Sequence, residues 1–128
     1  MSYYFNKTVK GNFDEVIAET IGALKKEGFG VLTDIDVKAT LKEKLDVDFR
    51  NYRILGACNP PFAYKALQAE DKIGILLPCN VIVRELESGV QEVAVVNPLE
   101  AMSSVRNDDL APVARQVEKK MRAVLAHL

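Results

Sequence analysis

The chain begins with an alternation of apolar and polar side chains and then changes to a helical spacing. Residues 3–9 carry apolar side chains at alternate positions, Tyr3, Phe5 and Val9, which predicts a first strand; Lys7 interrupts the pattern, as in an edge strand. Asn12 then suits the position before a helix, because its side chain can accept a hydrogen bond from the first turn. The helical periodicity after it is carried by Phe13, Val16, Ile17, Ile21 and Leu24. We expect this helix to end at Gly28.

A second alternation, over residues 29–37, predicts another strand. The side chains expected on one of its faces are Phe29, Val31, Ile35 and Val37. Asp34 and Asp36 are expected on the other face. Asp36 can also cap a short helix, since the residues after it repeat at helical spacing. The apolar positions of that helix are Val37, Leu41 and Leu45.

Residues 51–79 have the pattern of a strand, a helix and another strand. A strand is predicted over 51–58, and Asn59-Pro60 opens a helix over 60–69, because proline suits the first helical position and keeps the preceding residue out of helical geometry. The apolar run from Ile73 to Leu77 predicts a strand that is buried on both faces. If these elements form one crossover unit, the two strands are parallel.

The last third of the chain predicts a hairpin followed by a long helix. Cys79 to Leu86 and Val90 to Val96 are strand segments around the turn residues Ser88-Gly89. Asn97-Pro98 starts a short helical turn, and the helix over 109–126 has an apolar stripe that should cover the sheet. Helices alternate with strands only in the first half of the chain. This order favours an α+β fold over a doubly wound parallel sheet.

Composition narrows the class of protein. The 128 residues fit a single domain, 1–128, and the apolar fraction of 48% and charged fraction of 27% are those of a globular protein. The formal net charge of −1 provides no long-range field that would attract nucleic acid or an anionic membrane. The first residues do not resemble a signal peptide, and no apolar run is long enough to span a bilayer. Two cysteines without an export signal predict a cytoplasmic protein, in which thiols stay reduced.

Two Cys-Asn dipeptides are the best candidates for a functional site. Cys58-Asn59 stands directly before a predicted helix, where free N–H groups and the helix dipole can lower the pKa of a thiol. Cys79-Asn80 follows Pro78 at an expected interruption of the sheet. In a crossover unit both cysteines lie at the same edge of the sheet. Such a site could bind a small polar ligand or a soft metal such as Cu(I), or carry out thiol redox chemistry.

Structural interpretations compete with each of these candidates. Buried free cysteines usually act as small apolar residues, and Asn59 is explained as a helix cap, although asparagine is uncommon inside strands such as that of Asn80. A zinc site would lack a third ligand, since the only histidine is the penultimate residue His127. Asp34 and Asp36 could form a pair of catalytic carboxylates, but an exposed strand face explains them better.

Three segments of the chain resemble the family called domain of unknown function 302. They are Gly28 to Val37, Tyr52 to Pro61 and Leu76 to Val81, with the sequences GFGVLTDIDV, YRILGACNPP and LLPCNV. The resemblance covers nearly the whole chain and implies a fold similar to the TATA-binding protein: a curved, mostly antiparallel sheet covered by helices. It also implies a homodimer. An antiparallel sheet would contradict the parallel crossover, and the family supplies no catalytic residue to carry over.

Two hypotheses for function therefore remain. In the first, the protein is a cytosolic domain that binds a small ligand, or uses thiol or metal chemistry, at Cys58, Asn59, Cys79 and Asn80. In the second, it is a non-catalytic homodimeric interaction module. Neither hypothesis includes a cofactor, a nucleic acid or a membrane as a partner, and whether the protein is an enzyme stays open.

Overall fold

Five antiparallel strands form one curved, open sheet in the computed structural model, which describes residues 2–128. The strands are β1 (Tyr4–Lys10), β2 (Gly30–Asp36), β3 (Tyr52–Cys58), β4 (Cys79–Glu87) and β5 (Val90–Val96). Their order across the sheet is β1-β5-β4-β3-β2, and every neighbouring pair is antiparallel. The predicted α+β class and the hairpin of β4 and β5 are confirmed.

Five helices connect and cover these strands. They are α1 (Phe13–Lys26), α2 (Val37–Leu45), α3 (Pro60–Ala69), α4 (Pro98–Ala101) and α5 (Leu110–Ala126). Three polar residues cap helices as their positions suggest: the side chain of Asn12 accepts from Glu15 N, that of Asp36 from Ala39 N, and that of Asn97 from Leu99 N. Each bond satisfies an amide that the first turn of a helix leaves free.

The core lies between one face of the sheet and the helices α1 and α5. On this helix-covered face, the strands contribute the fully buried side chains of Leu55, Val81, Val83 and Val93. The helices contribute Val16, Leu24, Met121 and Val124, which are equally inaccessible. The C-terminal helix is therefore a main cover of the sheet, as its apolar stripe predicts. None of the helices in residues 2–128 is long and apolar enough to cross a membrane.

The predicted parallel crossover is wrong, and so is the strand predicted at its end. Residues Ile73–Leu76 form a short 3-10 turn, in which Ile73 is buried while Ile75 is 80% exposed. The apolar run has Gly74 within it and Pro78 just after it, and one buried side chain is enough to anchor it beneath α3. The next strand, β4, pairs directly and antiparallel with β3.

A β-bulge in β2 changes which side chains share a face. The register shifts between Val31 and Thr33, so Leu32 is the extra residue. Val31 therefore lies opposite Ala57 on the helix-covered face, whereas Ile35 lies opposite Ile54 on the other face. The prediction that Val31 and Ile35 share a face is wrong, because a pattern of alternation cannot reveal an inserted residue.

The second face of the sheet has no helix over it, and we call it the open face. Its side chains follow from the alternation along the strands and include Ile35, Tyr52, Ile54, Asn80, Ile82, Arg84, Glu92, Ala94 and Val96. A groove on this face is lined in part by Tyr52, Ile82 and Ala94. The two faces therefore offer two separate surfaces for binding.

Candidate functional site

Antiparallel pairing brings the two cysteines to the same end of the sheet. Cys58 ends β3 and Cys79 begins β4, and Ala57 lies directly opposite Cys79. Both thiols are free and half-buried. They line one cavity of about 280 Å³, which we call the cysteine cavity. The cysteines therefore meet as the crossover hypothesis expects, but through an antiparallel pair rather than a parallel one.

The cysteine cavity is partly open to solvent, and its walls come from the end of the sheet and from side chains in or next to α3, α4 and α5. The lining side chains from α3 include Phe62, Ala63, Ala66 and Leu67, and those from the last two helices include Pro98, Met102, Val113 and Val117. Leu77 and Leu32 complete much of the remaining wall. Almost all of this surface is carbon or sulfur, and Asn59 contributes the one amide side chain among the lining residues.

Asn59 is buried and connects two helices. Although it precedes α3, its side chain makes no capping hydrogen bond to that helix. Its Nδ2 instead donates to the backbone carbonyl of Glu27, at 3.2 Å, just beyond the end of α1. Gly28 leaves room for this amide, since a Cβ there would lie 3.1 Å from Nδ2 and the residue has a φ of +84°. Asn59 thus ties the start of α3, which lines the cavity, to the backbone that follows α1.

Asn80 does not belong to this group. It follows Cys79 in β4, so its side chain points to the open face, where it is exposed. There it lines the groove with Tyr52 and Ile82 and is absent from the lining of the cysteine cavity. Of the four residues singled out in the sequence, Cys58, Asn59 and Cys79 line the cysteine cavity, whereas Asn80 lines the open-face groove and a second pocket that it shares with Cys79.

The environment of Cys79 keeps its thiol protonated. Burial raises its pKa to about 11, because an apolar site disfavours the thiolate, and the nearby charge of a Cys58 thiolate adds to the rise. A thiol with this pKa is a poor nucleophile at neutral pH. Within residues 2–128, no three side chains of histidine, cysteine, aspartate or glutamate are grouped so that they could hold a metal ion.

The carboxylates considered as a catalytic pair both have structural partners. Asp34 forms a two-pronged ion pair with Arg53, and the hydrogen bonds from that guanidinium lower the pKa of Asp34. Asp36 accepts the capping hydrogen bond from α2. These contacts explain both residues without a catalytic role.

Sequence reasoning missed the contribution of the second Asn-Pro corner. Asn59-Pro60 and Asn97-Pro98 both start helices, and both corners lead into walls of the cysteine cavity through Asn59 and Pro98. Met102, at the end of α4, completes the second wall. The repeated Asn-Pro dipeptide is the signal in the sequence that could have pointed to both corners. Only the order of the strands in the sheet shows that the two corners lie at the same cavity.

Comparison with known proteins gives a family but no activity. The family model described as "Domain of unknown function DUF302" matches residues 5–128. The crystal structure of an uncharacterized conserved DUF302 protein from Bacillus stearothermophilus is similar, with a TM-score of 0.90 and 30% sequence identity over 99% of this chain and 98% of that one. No curated protein matches the sequence. The chain therefore belongs to the DUF302 family, whose function is unknown.

Proposed function

We propose that this DUF302 domain binds one small, mostly apolar molecule in the cysteine cavity. The observation that carries the proposal is a space of about 280 Å³ whose walls are almost entirely apolar. A dry apolar cavity of about 150 Å³ is enough to bind benzene. A space nearly twice as large therefore suits a ligand of roughly a dozen non-hydrogen atoms.

Asn59 supplies the polar contact of this proposed site. Its Nδ2 is engaged with Glu27, and its carbonyl oxygen makes no capping bond to α3. That oxygen can accept a hydrogen bond from a ligand. Apolar pockets typically select their ligands through a few such polar groups. We therefore expect a compact hydrophobic ligand with one N–H or O–H group.

Binding of a neutral ligand has more support than chemistry at the thiols. The raised pKa of Cys79 opposes both nucleophilic attack and thiolate coordination near pH 7. Asn80 lies on the open face, away from this cavity, so the proposed ligand is held by Cys58, Asn59 and Cys79 without it. The two thiols then form a polarisable, weakly polar part of the cavity wall.

Thermal unfolding in the presence of indole tests this proposal. Indole is a flat hydrophobic molecule with one N–H group, and a ligand that binds only the folded state raises the unfolding temperature in a concentration-dependent way. We expect such a rise for the wild type. Ala63→Phe should abolish it, because Ala63 lines the cavity and a phenyl ring there would occupy the space.

Gln68→Leu is the matched control on the same helix. Gln68 is exposed and outside the cavity lining, so this variant should respond to indole as the wild type does. Benzoate, which carries a charge that the apolar walls cannot solvate, should give a much smaller rise. An equal response of all three proteins, or none in the wild type, would contradict the proposal.

A second candidate function is self-association as a homodimeric interaction module. The observation that favours it is apolar surface on a face of the sheet that no helix covers, including Ile35 (47% exposed) and Tyr4 (39% exposed). Light scattering on a size-exclusion column, over a range of concentrations, measures the oligomer directly.

We also propose that the protein works in a reducing compartment such as the cytosol, since both cysteines are free.

A further inference from the structure

An apolar row crosses the open face of the sheet. Ile35 of β2 lies opposite Ile54 of β3, Ile54 opposite Ile82 of β4, and Ile82 opposite Ala94 of β5. Four consecutive strands thus place an apolar side chain at the same level. When an antiparallel sheet turns one face to water, that face is normally polar. An apolar row of this kind is therefore typical of a sheet face that another surface covers.

Aromatic side chains extend this row on both sides. Tyr52 precedes Ile54 by two residues on β3, and the ring of Phe49 lies 6.3 Å from that of Tyr52. At the other end, Tyr4 of β1 lies opposite Val96. Tyr3, which is 71% exposed, stands at the rim of a groove of about 480 Å³ on the same face. An exposed aromatic beside a groove is a combination that protein interfaces use as an anchor and its pocket.

The charged groups near the row are already neutralised. Arg84 forms an ion pair with Glu92 on the neighbouring strand. Glu92 also accepts a hydrogen bond of 2.8 Å from Asn6, and these hydrogen bonds lower its pKa. Covering the face would therefore leave no unpaired charge at this position. Arg84 is also not free to bind phosphate, which argues against nucleic acid as the covering partner.

We infer that the open face is covered by the open face of a second copy of this chain, related by a two-fold axis. This inference rests on the proposed homodimer and assigns its interface. With strands about 4.8 Å apart and about 3.4 Å per residue, five strands of seven residues present roughly 500 Å². Two such faces bury about 1,000 Å² in total, which reaches the lower range of specific interfaces.

A two-fold contact also matches the apolar row and the groove of the open face. In such an interface the same patch occurs on both sides, so the row of isoleucines meets its own copy and each groove meets the partner's exposed Tyr3. Two sheets packed in this way bring their apolar faces about 10 Å apart. An unlike partner would need its own neutral, apolar surface of the same size, whereas a second copy supplies it.

The test is the mass in solution of the full chain and of charge variants, by size-exclusion chromatography with light scattering. The wild type should show twice the chain mass of 14.2 kDa. Ile35→Arg combined with Ile82→Arg should weaken association on the order of a hundredfold or more, because it buries unpaired charge. Tyr4→Glu, a single substitution on the edge strand β1, is a second variant in case the first does not fold, and circular dichroism reports folding for each. Tyr64→Arg, on a 64% exposed residue of α3 that lies outside the groove of the open face, should remain a dimer.

Two results would overturn the inference and are distinguishable. A wild type that is monomeric at every concentration would overturn both the homodimer and its interface, and would leave the face to an unlike partner. A dimer that persists in the folded charge variants would overturn this interface but leave the homodimer standing. Loss of the dimer in a folded variant, with Tyr64→Arg unaffected, is the result that the inference predicts.

Discussion

The amide of Asn59 and the backbone carbonyl of Glu27 are joined by a hydrogen bond of 3.2 Å. This bond connects the backbone just after α1 with the start of α3, the helix whose side chains line the cysteine cavity. Because Asn59 is buried and Glu27 is half-buried, the bond is partly shielded from water. The residue that lies beside the two thiols is thus also the one that holds their cavity wall in place.

Removing this amide should destabilise the fold. We expect Asn59→Ala to lower the free energy of unfolding by about 1–3 kcal/mol, because it removes a buried amide and its hydrogen bond to the carbonyl of Glu27. Asn80→Ala is the matched control, since Asn80 follows the other cysteine but is exposed, and it should change stability by less than about 0.5 kcal/mol. Urea denaturation measures both values. Equal effects of the two substitutions would contradict the structural role of Asn59.

Gly56 should be intolerant of any side chain. A Cβ at this position would lie 2.1 Å from Thr33 Oγ1 and 2.7 Å from Pro78 Cγ, so both neighbours would have to move. We expect Gly56→Ala to cost about 1–3 kcal/mol in unfolding free energy, as overpacking typically does. Gly22→Ala is the opposite case, because a Cβ added at Gly22 would have no atom within 4 Å. Gly22 lies inside α1, so the substitution should raise the free energy of unfolding by about 0.5–1 kcal/mol. The denaturation midpoints should therefore move in opposite directions.

The sequence predicts most of the local structure and the hairpin of β4 and β5. It does not predict the antiparallel pairing of β3 with β4. The caps at Asn12, Asp36 and Asn97 depend only on neighbouring residues, so their positions could be recognised in the sequence. The buried turn at Ile73 could not, because a short apolar run fits a strand as well as a turn. The antiparallel sheet agrees with the family resemblance and not with the crossover.

The candidate site was predictable only in part. The sequence leaves open whether Cys58 and Cys79 converge, and the separation of Asn59 from Asn80 depends on which face each residue occupies. One residue follows a strand and the other lies within one, so the same dipeptide leads to different surroundings. The apolar row of the open face was hidden for a similar reason, since the bulge at Leu32 moves Ile35 away from the face of Val31.

Alkylation of Cys79 should depend on pH in the manner of a buried thiol. A Cys58→Ser variant leaves a single cysteine and keeps the burial of Cys79, which is the larger cause of its raised pKa. Folded Cys79 in this variant should react with iodoacetamide at pH 8 at least about tenfold more slowly than after unfolding. Mass spectrometry over time measures this rate. Fast labelling of the folded protein at neutral pH would contradict the protonated thiol and would revive the hypothesis of a reactive cysteine.

The same pKa predicts a loss of stability at high pH. A thiol pKa that is higher in the folded than in the unfolded state stabilises the fold below about pH 9, the ordinary value, and the benefit disappears as pH rises through about 11. Cys79→Ala lacks this group, so its stability should fall less steeply than that of the wild type across the same interval. Parallel curves for the two proteins would show that Cys79 does not ionise on unfolding.

The most direct test of the proposed ligand site is a methyl-NMR titration of the wild type with indole. The account predicts saturable shifts confined to the methyl groups that line the cysteine cavity, among them those of Leu67, Leu77, Met102 and Val113. Methyl groups on the open face, such as those of Ile54 and Ile82, should not shift with them. Absence of any saturable change, or shifts that lie on the open face instead, would contradict the claim that this cavity binds a small apolar molecule.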